Sequence, residues 1–238
     1  YKVKGKDNMS HKTLFLQQSY EDCTRQYMEL LEKQKMPLWD YVILTASNES
    51  QAQSYRMQIQ YRLDHGMLPK SIHYAVLPDP DGKRVGSGGA TLNVLRYIYQ
   101  DAGSFDDKRI LVIHSGGDSK RVPQYSACGK LFSPVPRLLP NGRRSTLFDE
   151  FMISMCGVAA RIRAGMLVCS GDVLLLFNPL QIDFHGSGAA ALSIKEPAEI
   201  GKNHGVYRVD EQGNVGGFLH KKTVDQLHEL QAADENGN

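Results

Sequence analysis

Short apolar runs alternate with segments of helical periodicity along most of the 238 residues, and this alternation limits the fold more than any other feature. The runs have the length and composition of buried strands, and they lie at residues 41–44, 72–77, 110–114 and 166–170. Apolar residues at helical spacing predict intervening helices at residues 19–35, 52–63, 92–99 and 147–162. We therefore expect an α/β fold with a mostly parallel central sheet that helices cover on both faces.

The last part of the chain is predicted from strand and turn signals. It is expected to contain a strand at residues 189–194, a hairpin from residues 206–209 and 215–219, and a helix at residues 223–233. Residues 234–238 have a composition that favours disorder. No linker or repeat interrupts the sequence. Residues 1–238 are therefore interpreted as a single domain, with a helical segment at residues 1–37 and a core at residues 38–233.

The charges are balanced, because 28 lysines and arginines stand against 26 aspartates and glutamates, for a formal net charge of +2. This balance argues against a broad nucleic-acid surface and against an extensive polybasic membrane surface. No apolar run approaches the roughly 18 residues of a membrane span. The four cysteines lack zinc spacing, which is typical of reduced thiols in a cytoplasmic protein. We expect neither a nucleic-acid partner nor a membrane partner.

A glycine-rich segment with two cationic residues follows the third predicted strand. Gly116 and Gly117 offer backbone N–H groups that can close on phosphate oxygens, and Ser119 is a further candidate phosphate-binding residue. Arg121 and Lys130 supply positive charge where phosphoryl transfer builds negative charge, so they are the candidate catalytic residues. The alternative is a solvated basic loop. The segment favours nucleotide chemistry, and nucleotidyl transfer in particular.

A second glycine block opens the helix predicted at residues 92–99. Free N–H groups and the dipole at a helix N-terminus favour anions. The block is not a dinucleotide fingerprint, because Thr91 stands where that motif has its last glycine. A phosphate site and a tight structural turn are equally open on these residues alone. The candidate nucleotide- or phosphate-binding residues are Gly86, Ser87, Gly88 and Gly89.

Asp172 comes directly after the strand predicted at residues 166–170. A carboxylate there is suited to hold Mg²⁺ against phosphates, because Mg²⁺ is usually bound by one or two carboxylates plus phosphate oxygens. A lone aspartate after a strand is otherwise often a helix cap or a turn former. Beside the glycine-rich segment, we favour the metal and predict Mg²⁺ as the cofactor.

His204, Gly205 and Lys221 form a further candidate group, for contact with a sugar phosphate. A turn histidine and a solvated charge pair explain these residues equally well. The histidines of the chain have no metal-like spacing. No G-x-S-x-G elbow supports nucleophilic catalysis by a serine.

The glycine-rich segments resemble those of the sugar nucleotidyltransferases, which combine a glycine-rich loop and an arginine with a later Lys-x-x-x-Pro-Val stretch. Arg121 and residues 130–135 match that pattern. The match narrows to the fucose 1-phosphate guanylyltransferase (GDP-L-fucose pyrophosphorylase) family, which includes the pyrophosphorylase half of bifunctional fucokinase/GDP-fucose pyrophosphorylases. Within residues 38–225, this narrower resemblance is carried by residues 39–46, 68–69, 79–80, 86–93 and 114–117. The sequence departs from the superfamily at Gly129-Lys130, where Pro-Lys is usual, and at Lys221-Lys222, where Lys-Pro is common.

The resemblance implies a Rossmann-like three-layer α/β/α nucleotidyltransferase domain that joins L-fucose 1-phosphate to GTP and releases pyrophosphate. Arg121 would then stabilise the leaving pyrophosphate, and Lys130 would bridge the α-phosphate and the sugar phosphate. The resemblance also implies a fragment whose remaining sheet, partner domain and second metal carboxylate follow Asn238. An L-fucokinase segment and a non-catalytic nucleotide-sugar-binding module stay open as alternatives. The oligomeric state is unknown from the sequence.

Overall fold

The computed structural model describes residues 11–33, 37–115, 125, 129–181 and 188–233. The chain divides into two compact units, Tyr1–His185 and Gly186–Asn238. The prediction of disorder at residues 234–238 falls outside the described residues, and the interpretation of residues 1–238 as one nucleotidyltransferase domain stays a prediction.

The first unit alternates helices and strands along the chain. Its elements are α1 (His11–Lys33), β1 (Tyr41–Ala46), α2 (Glu49–Asp64), β2 (His73–Pro78), α3 (Gly86–Ala102), β3 (Arg109–His114), β4 (Pro134–Leu138), β5 (Arg144–Thr146), α4 (Leu147–Ala159) and β6 (Gly165–Ser170). Short 3₁₀ turns occupy Pro80–Gly82, Lys130–Phe132 and Pro179–Gln181. The second unit contains α5 (Ala198–Gly201), β7 (Gly205–Val209), β8 (Val215–His220) and α6 (Val224–Glu229).

Four strands of the first unit form a parallel sheet in the order β2-β1-β3-β6. The two central strands are apolar along nearly their whole length, as expected where both faces of a sheet are covered. Val42, Ile43 and Leu44 of β1 and Leu111 and Val112 of β3 are fully buried. The predicted α/β class with a mostly parallel sheet is confirmed.

Each face of the sheet packs against different helices, because successive side chains of a strand point to opposite faces. On one face, Val42 and Leu44 belong to a core that residues of α1, α2 and α4 complete. On the other face, Tyr41 and Ile43 pack with Val94 of α3. The three layers expected from the resemblance are therefore present.

The first helix is longer than predicted, because α1 already includes His11, whereas the apolar periodicity starts at residue 19. Ser19 lies inside the helix, where its hydroxyl donates to the carbonyl of Phe15 at 2.8 Å. The preceding part of the helix exposes Leu14 and Phe15, so no buried stripe marks it in the sequence.

The strand predicted at residues 189–194 is wrong, since these residues form neither helix nor strand. Ile194 is 80% exposed, and no sheet in the described part of the chain includes this run. A strand without a partner leaves its backbone N–H and C=O groups to water, so a short apolar run alone does not hold strand geometry.

The region between β3 and α4, for which no strand was predicted, contains β4 as an additional strand. In it, β4 pairs antiparallel with β5, and Pro134 lies opposite Thr146. Pro134 and Pro136 concealed this strand in the sequence, because proline cannot donate to a strand ladder. The two-stranded ribbon tolerates both prolines, since each of its strands is an edge.

The second unit is built around the predicted hairpin, which is confirmed. Strands β7 and β8 pair antiparallel, with Gly205 opposite His220 and Tyr207 opposite Phe218. The turn is closed by Asp210, whose carboxylate accepts the backbone N–H of Asn214 at 2.7 Å. The predicted helix at residues 223–233 is present but shorter, as α6.

A search of the described helices for one that is both long enough and apolar enough to cross a membrane found none.

Candidate active site

The four parallel strands end at one edge of the sheet, which is where α/β sheets bind ligands. The strand register places Thr45 beside His114, and His114 beside Ser170. The strand order also reverses here, because β2 lies on one side of β1 and β3 lies on the other. Such a switch point opens a crevice between the loops that follow the two central strands. Polar residues directly after these strands are therefore brought close together.

Lys130 and Asp172, which were predicted to be catalytic and metal-binding, are neighbours beyond the ends of β3 and β6. The Nζ atom of Lys130 lies 3.5 Å from Oδ2 of Asp172. On the other carboxylate oxygen, Oδ1, Ser170 donates a hydrogen bond of 2.6 Å. This hydrogen bond, assisted by the charge of Lys130, holds the pKa of Asp172 below its usual value of 3.8. Both side chains are partly exposed and therefore accessible to a ligand.

The backbone at Lys130 is anchored by the two residues that follow it. Leu131 is fully buried, and Phe132 is nearly so. The ring of Phe132 packs against Phe148 of α4, with 5.1 Å between ring centroids, and the guanidinium of Arg62 lies over it at 5.1 Å. The core thus fixes the base of the lysine side chain, while its ammonium reaches the site.

Tyr55 of α2 contacts the residues on both flanks of the glycine-rich segment. Its fully buried side chain donates to the carbonyl of Ser115 at 3.0 Å and lies 2.9 Å from the hydroxyl of Ser115. On the other flank, a Cβ added to Gly129 would lie 1.9 Å from the Tyr55 hydroxyl oxygen. Gly129 also has a φ of +65°, which proline cannot adopt. This geometry explains why glycine replaces the usual proline before Lys130.

Four predicted site residues of the same segment lie outside the described residues: Gly116, Gly117, Ser119 and Arg121. Their contacts with phosphate stay predictions.

A polar cleft of about 290 Å³ lies at the switch point. Its walls come from the ends of β1, β3 and β6, from residues after β2, and from the first turn of α3. The glycine block forms that first turn of the helix itself, and Gly86 and Ser87 line the cleft. Gly88 and Gly89 are not among the lining residues. Gly88 faces open space, and a Cβ on Gly89 would lie 2.7 Å from that of Val85.

His114 joins α3 to the end of β1. Its Nδ1 lies 3.1 Å from the hydroxyl of Thr45, and its Nε2 lies 2.9 Å from the hydroxyl of Thr91. Thr91 donates its own proton to the carbonyl of Ser87, so it must accept from Nε2–H, and Nδ1 then accepts from Thr45. Burial lowers the pKa of His114 below 6.5, against a smaller opposing effect of Asp79, which favours this neutral form.

His204, Gly205 and Lys221 meet at one end of the hairpin in the second unit. The backbone N–H of Lys221 donates to the carbonyl of His204 at 3.0 Å. A Cβ on Gly205 would lie 2.3 Å from the ring of Phe218, so only glycine leaves room for that ring. The hairpin brings the three predicted sugar-phosphate residues together, and their role stays a prediction.

Within the described ranges, no group of three or more histidine, cysteine, aspartate or glutamate side chains is arranged to hold a metal ion. Asp172 offers one carboxylate, and its lowered pKa further favours the ionised form. One carboxylate is compatible with Mg²⁺ where phosphate oxygens and water complete the coordination.

The sequence model of the fucose pyrophosphorylase domain matches residues 102–238, which is more than half of the chain. The chain belongs to the fucose pyrophosphorylase family. The matched residues of this family member include the glycine-rich segment, the Lys130–Asp172 pair and the hairpin of the second unit.

Several curated proteins are similar to this family member. The bifunctional fucokinase/GDP-fucose pyrophosphorylase of Arabidopsis thaliana is 32% identical over 81% of this chain and 22% of its own length. The fucose-1-phosphate guanylyltransferase of Mus musculus is 32% identical over 82% of this chain and 35% of its own. The human fucose-1-phosphate guanylyltransferase is 29% identical over 94% of this chain and 39% of its own. The chain thus spans less than half the length of these relatives. No solved structure matches it.

Three residues at this edge of the sheet were not predicted as site residues from the sequence: Tyr55, Asp79 and His114. Asp79 follows β2 directly, and His114 ends β3, so the rule that pointed to Asp172 after β6 applies to them as well. No sequence signal distinguished Tyr55, because it fits the helical spacing of the apolar residues on α2 and therefore looks like an ordinary core residue.

Proposed function

We propose that this fucose pyrophosphorylase family member transfers a guanylyl group from GTP to L-fucose 1-phosphate, giving GDP-L-fucose and pyrophosphate. The observation that carries the proposal is the Lys130–Asp172 pair, 3.5 Å apart and adjoining a polar cleft at the switch point of a parallel sheet. The names of the mouse and human relatives, both fucose-1-phosphate guanylyltransferases, support the choice of substrates.

The proposed reaction is a direct displacement at phosphorus. A phosphate oxygen of L-fucose 1-phosphate attacks the α-phosphorus of GTP, and the bond to the β-phosphate breaks, so that pyrophosphate leaves with the electron pair. No covalent enzyme intermediate is required. Catalysis then consists of positioning the two phosphates in line and stabilising the charge that develops between them.

The chain supplies two kinds of group for this task. Lys130 bridges the α-phosphate and the sugar phosphate, which reduces the repulsion between the two anions. Arg121 stabilises the leaving pyrophosphate, and the backbone N–H groups of Gly116 and Gly117, with Ser119, hold phosphate oxygens. The roles of the last four residues rest on sequence and resemblance.

Asp172 is proposed to hold Mg²⁺. Its ionised carboxylate and its position next to Lys130 suit a cation that is shared with nucleotide phosphates. When bound, Mg²⁺ would neutralise charge on those phosphates. Ser170, through its hydrogen bond to Oδ1, keeps the carboxylate oriented.

The sugar phosphate is proposed to contact His204, Gly205 and Lys221 on the hairpin of the second unit. The substrates are small molecules, and a cytoplasmic location without a nucleic-acid or membrane partner stays our expectation from the sequence.

The test is a coupled assay of pyrophosphate release with GTP, L-fucose 1-phosphate and Mg²⁺. Release that depends on both substrates is expected, together with formation of GDP-L-fucose. Nucleotide binding without pyrophosphate release would instead indicate the binding module. ATP-dependent phosphorylation of free L-fucose without pyrophosphate would indicate a kinase segment. Either result would contradict the proposed reaction.

A further inference from the structure

The polar cleft at the switch point contains one acidic and one basic lining side chain, Asp79 and Arg84. Hydroxyl groups and His114 supply its remaining polar side chains. His114 is engaged on both ring nitrogens by threonine hydroxyls, so it is occupied in holding the walls together. Asp79 and Arg84 are therefore the two charged groups that a ligand in this cleft would meet.

Asp79 is held in place by the turn that contains it. Its backbone N–H donates to the carbonyl of Ala46 at 2.8 Å, which ties the turn to the end of β1. Its carbonyl accepts the N–H of Gly82 at 3.2 Å, which closes the turn. The backbone of Asp79 is thus fixed at the rim of the cleft, which its side chain lines.

The environment of the Asp79 carboxylate is partly desolvated. Burial raises the pKa of Asp79 above 3.8, and the charge of Arg84 opposes that shift. Both side chains line the same cleft. A partly desolvated acceptor next to a guanidinium donor presents a mixed hydrogen-bonding edge to a ligand.

The spacing of the strands that precede Asp79 and Asp172 suits a nucleotide. Asp79 follows β2 and Asp172 follows β6, which are the two outer strands of the sheet. Three strand spacings separate them, or roughly 14 Å at about 4.8 Å per spacing. That length is comparable to the separation between the α-phosphate and the far edge of the base in an extended purine nucleotide. A base at Asp79 can therefore belong to the molecule whose phosphates lie at Lys130.

We propose that Asp79 and Arg84 read the Watson–Crick edge of guanine and thereby select GTP. The Asp79 carboxylate accepts from the N1–H and N2–H₂ groups of the base, and Arg84 donates to O6. This inference rests on the proposed function, because it assigns the base-recognition part of the same site.

The same two residues disfavour adenine. Adenine places its N1 acceptor opposite the carboxylate and its amino donor opposite the guanidinium, so both contacts become unfavourable. A site built to hydrogen-bond one substrate rejects an analogue that leaves buried polar groups unpaired, often by about 10⁴-fold. ITP lacks only the 2-amino group, so its loss should cost about tenfold or more in affinity.

The deciding experiment is equilibrium binding of GTP, ITP, XTP and ATP, by calorimetry without sugar phosphate, to the full chain and to Asp79→Asn. Asparagine keeps the shape of the side chain, and its amide donates to the 2-oxo group of xanthine while accepting from N1–H. We expect Asp79→Asn to weaken GTP binding by about 10²-fold, the scale of losing hydrogen bonds to a charged group. The same substitution should strengthen XTP binding enough that the variant binds XTP more tightly than GTP.

Asp81→Asn is the matched control. Asp81 lies in the same turn, is exposed, and has a φ of +54° that asparagine tolerates well. The affinities of Asp81→Asn for the four nucleotides should stay within about twofold of those of the parent chain, because losing an exposed charge outside the site has little effect on binding. Arg84→Met is a second variant, which should weaken GTP binding and narrow the gap between GTP and ATP.

The outcomes separate this inference from the proposed function. An unchanged ratio of GTP to XTP affinity in Asp79→Asn would overturn base recognition by Asp79, even if pyrophosphate release proceeds normally. A reversed ratio in a chain that releases no pyrophosphate would keep the guanine site and reject the transferase reaction. A chain that binds none of the four nucleotides would overturn both.

Discussion

The ammonium of Lys130 lies 3.5 Å from an ionised carboxylate, so a phosphate that arrives there competes with Asp172 for the same positive charge. A cation on Asp172 would release Lys130 from that contact and leave it available to phosphate oxygens. The pair is therefore interpreted as a resting arrangement that the substrates rearrange.

Lys130→Ala should lower kcat for pyrophosphate release by about 10²–10³, the scale on which one preorganised charge stabiliser acts. Steady-state kinetics with both substrates varied would measure it. Lys70→Ala is a suitable control, because Lys70 is an exposed lysine on the same unit. A Lys130→Ala enzyme with parental kcat would remove Lys130 from the catalytic group.

His114 predicts a specific dependence of stability on pH. Burial holds its pKa in the folded state below the ordinary 6.5, so the unfolded chain takes up the proton first as pH falls. The stabilisation from the neutral imidazole is complete above about pH 6.5 and decreases as pH falls from there towards the folded-state pKa. Protonation would also turn Nδ1 into a donor, so it could no longer accept from Thr45.

Denaturant unfolding at pH about 7.5 and about 5.5 would test this dependence. The parent chain should lose more free energy of unfolding between the two conditions than His114→Gln does. His65→Gln, a change at an exposed histidine, should keep the parental difference. Equal losses in the parent and in His114→Gln would show that the buried imidazole does not set this dependence.

At the scale of elements, the packing of α2 against the turn at Lys130–Phe132 depends on Gly129. Gly129→Ala should destabilise the fold by about 2–4 kcal/mol, because it adds backbone strain at positive φ and a collision with the Tyr55 ring. Gly142 has a similar φ of +76° but open space around its Cβ position. Gly142→Ala should therefore show the strain alone, and the difference between the two unfolding free energies measures the collision.

Local sequence patterns correctly predicted the strands that are buried on both faces of the sheet. Strands β1 and β3 are buried on both faces, so continuous apolar runs such as residues 41–44 and 110–114 marked them. The run at residues 189–194 looked similar but has no partner strand in the described part of the chain. Strand β4 escaped prediction because Pro134 and Pro136 are compatible only with edge strands. Strand pairing is a long-range property that the local sequence does not carry.

The sequence likewise predicted some residues of the candidate site and missed others. Lys130 and Asp172 follow recognisable motifs, and the structure brings them together. Asp79 also follows a predicted strand, but neither Asp79 nor Arg84 could be assigned to a cleft from the local sequence, because the cleft exists only when β2 and β3 lie on opposite sides of β1. His114 stood at the end of a predicted strand, but its two threonine partners come from different elements.

At the scale of the whole molecule, the two compact units divide the predicted tasks. The cleft, Lys130 and Asp172 belong to Tyr1–His185, whereas the predicted sugar-phosphate residues belong to Gly186–Asn238. A chain shortened to residues 1–185 should therefore keep GTP binding and lose transfer to L-fucose 1-phosphate. Calorimetry and the pyrophosphate assay on the same sample would measure the two properties. Loss of GTP binding in a shortened chain that still unfolds cooperatively would contradict this division.

The phenol oxygen of Tyr55 bonds to Ser115 and lies against Gly129, which limits the positions at which the protein can be engineered. The two end points of the stretch between these positions, and Lys130 with them, are thereby held in register with the core. Directed evolution towards other nucleotide sugars should therefore leave Tyr55 untouched, together with the phosphate-binding residues proposed within that stretch. Libraries that also vary Tyr55 should yield mostly inactive clones.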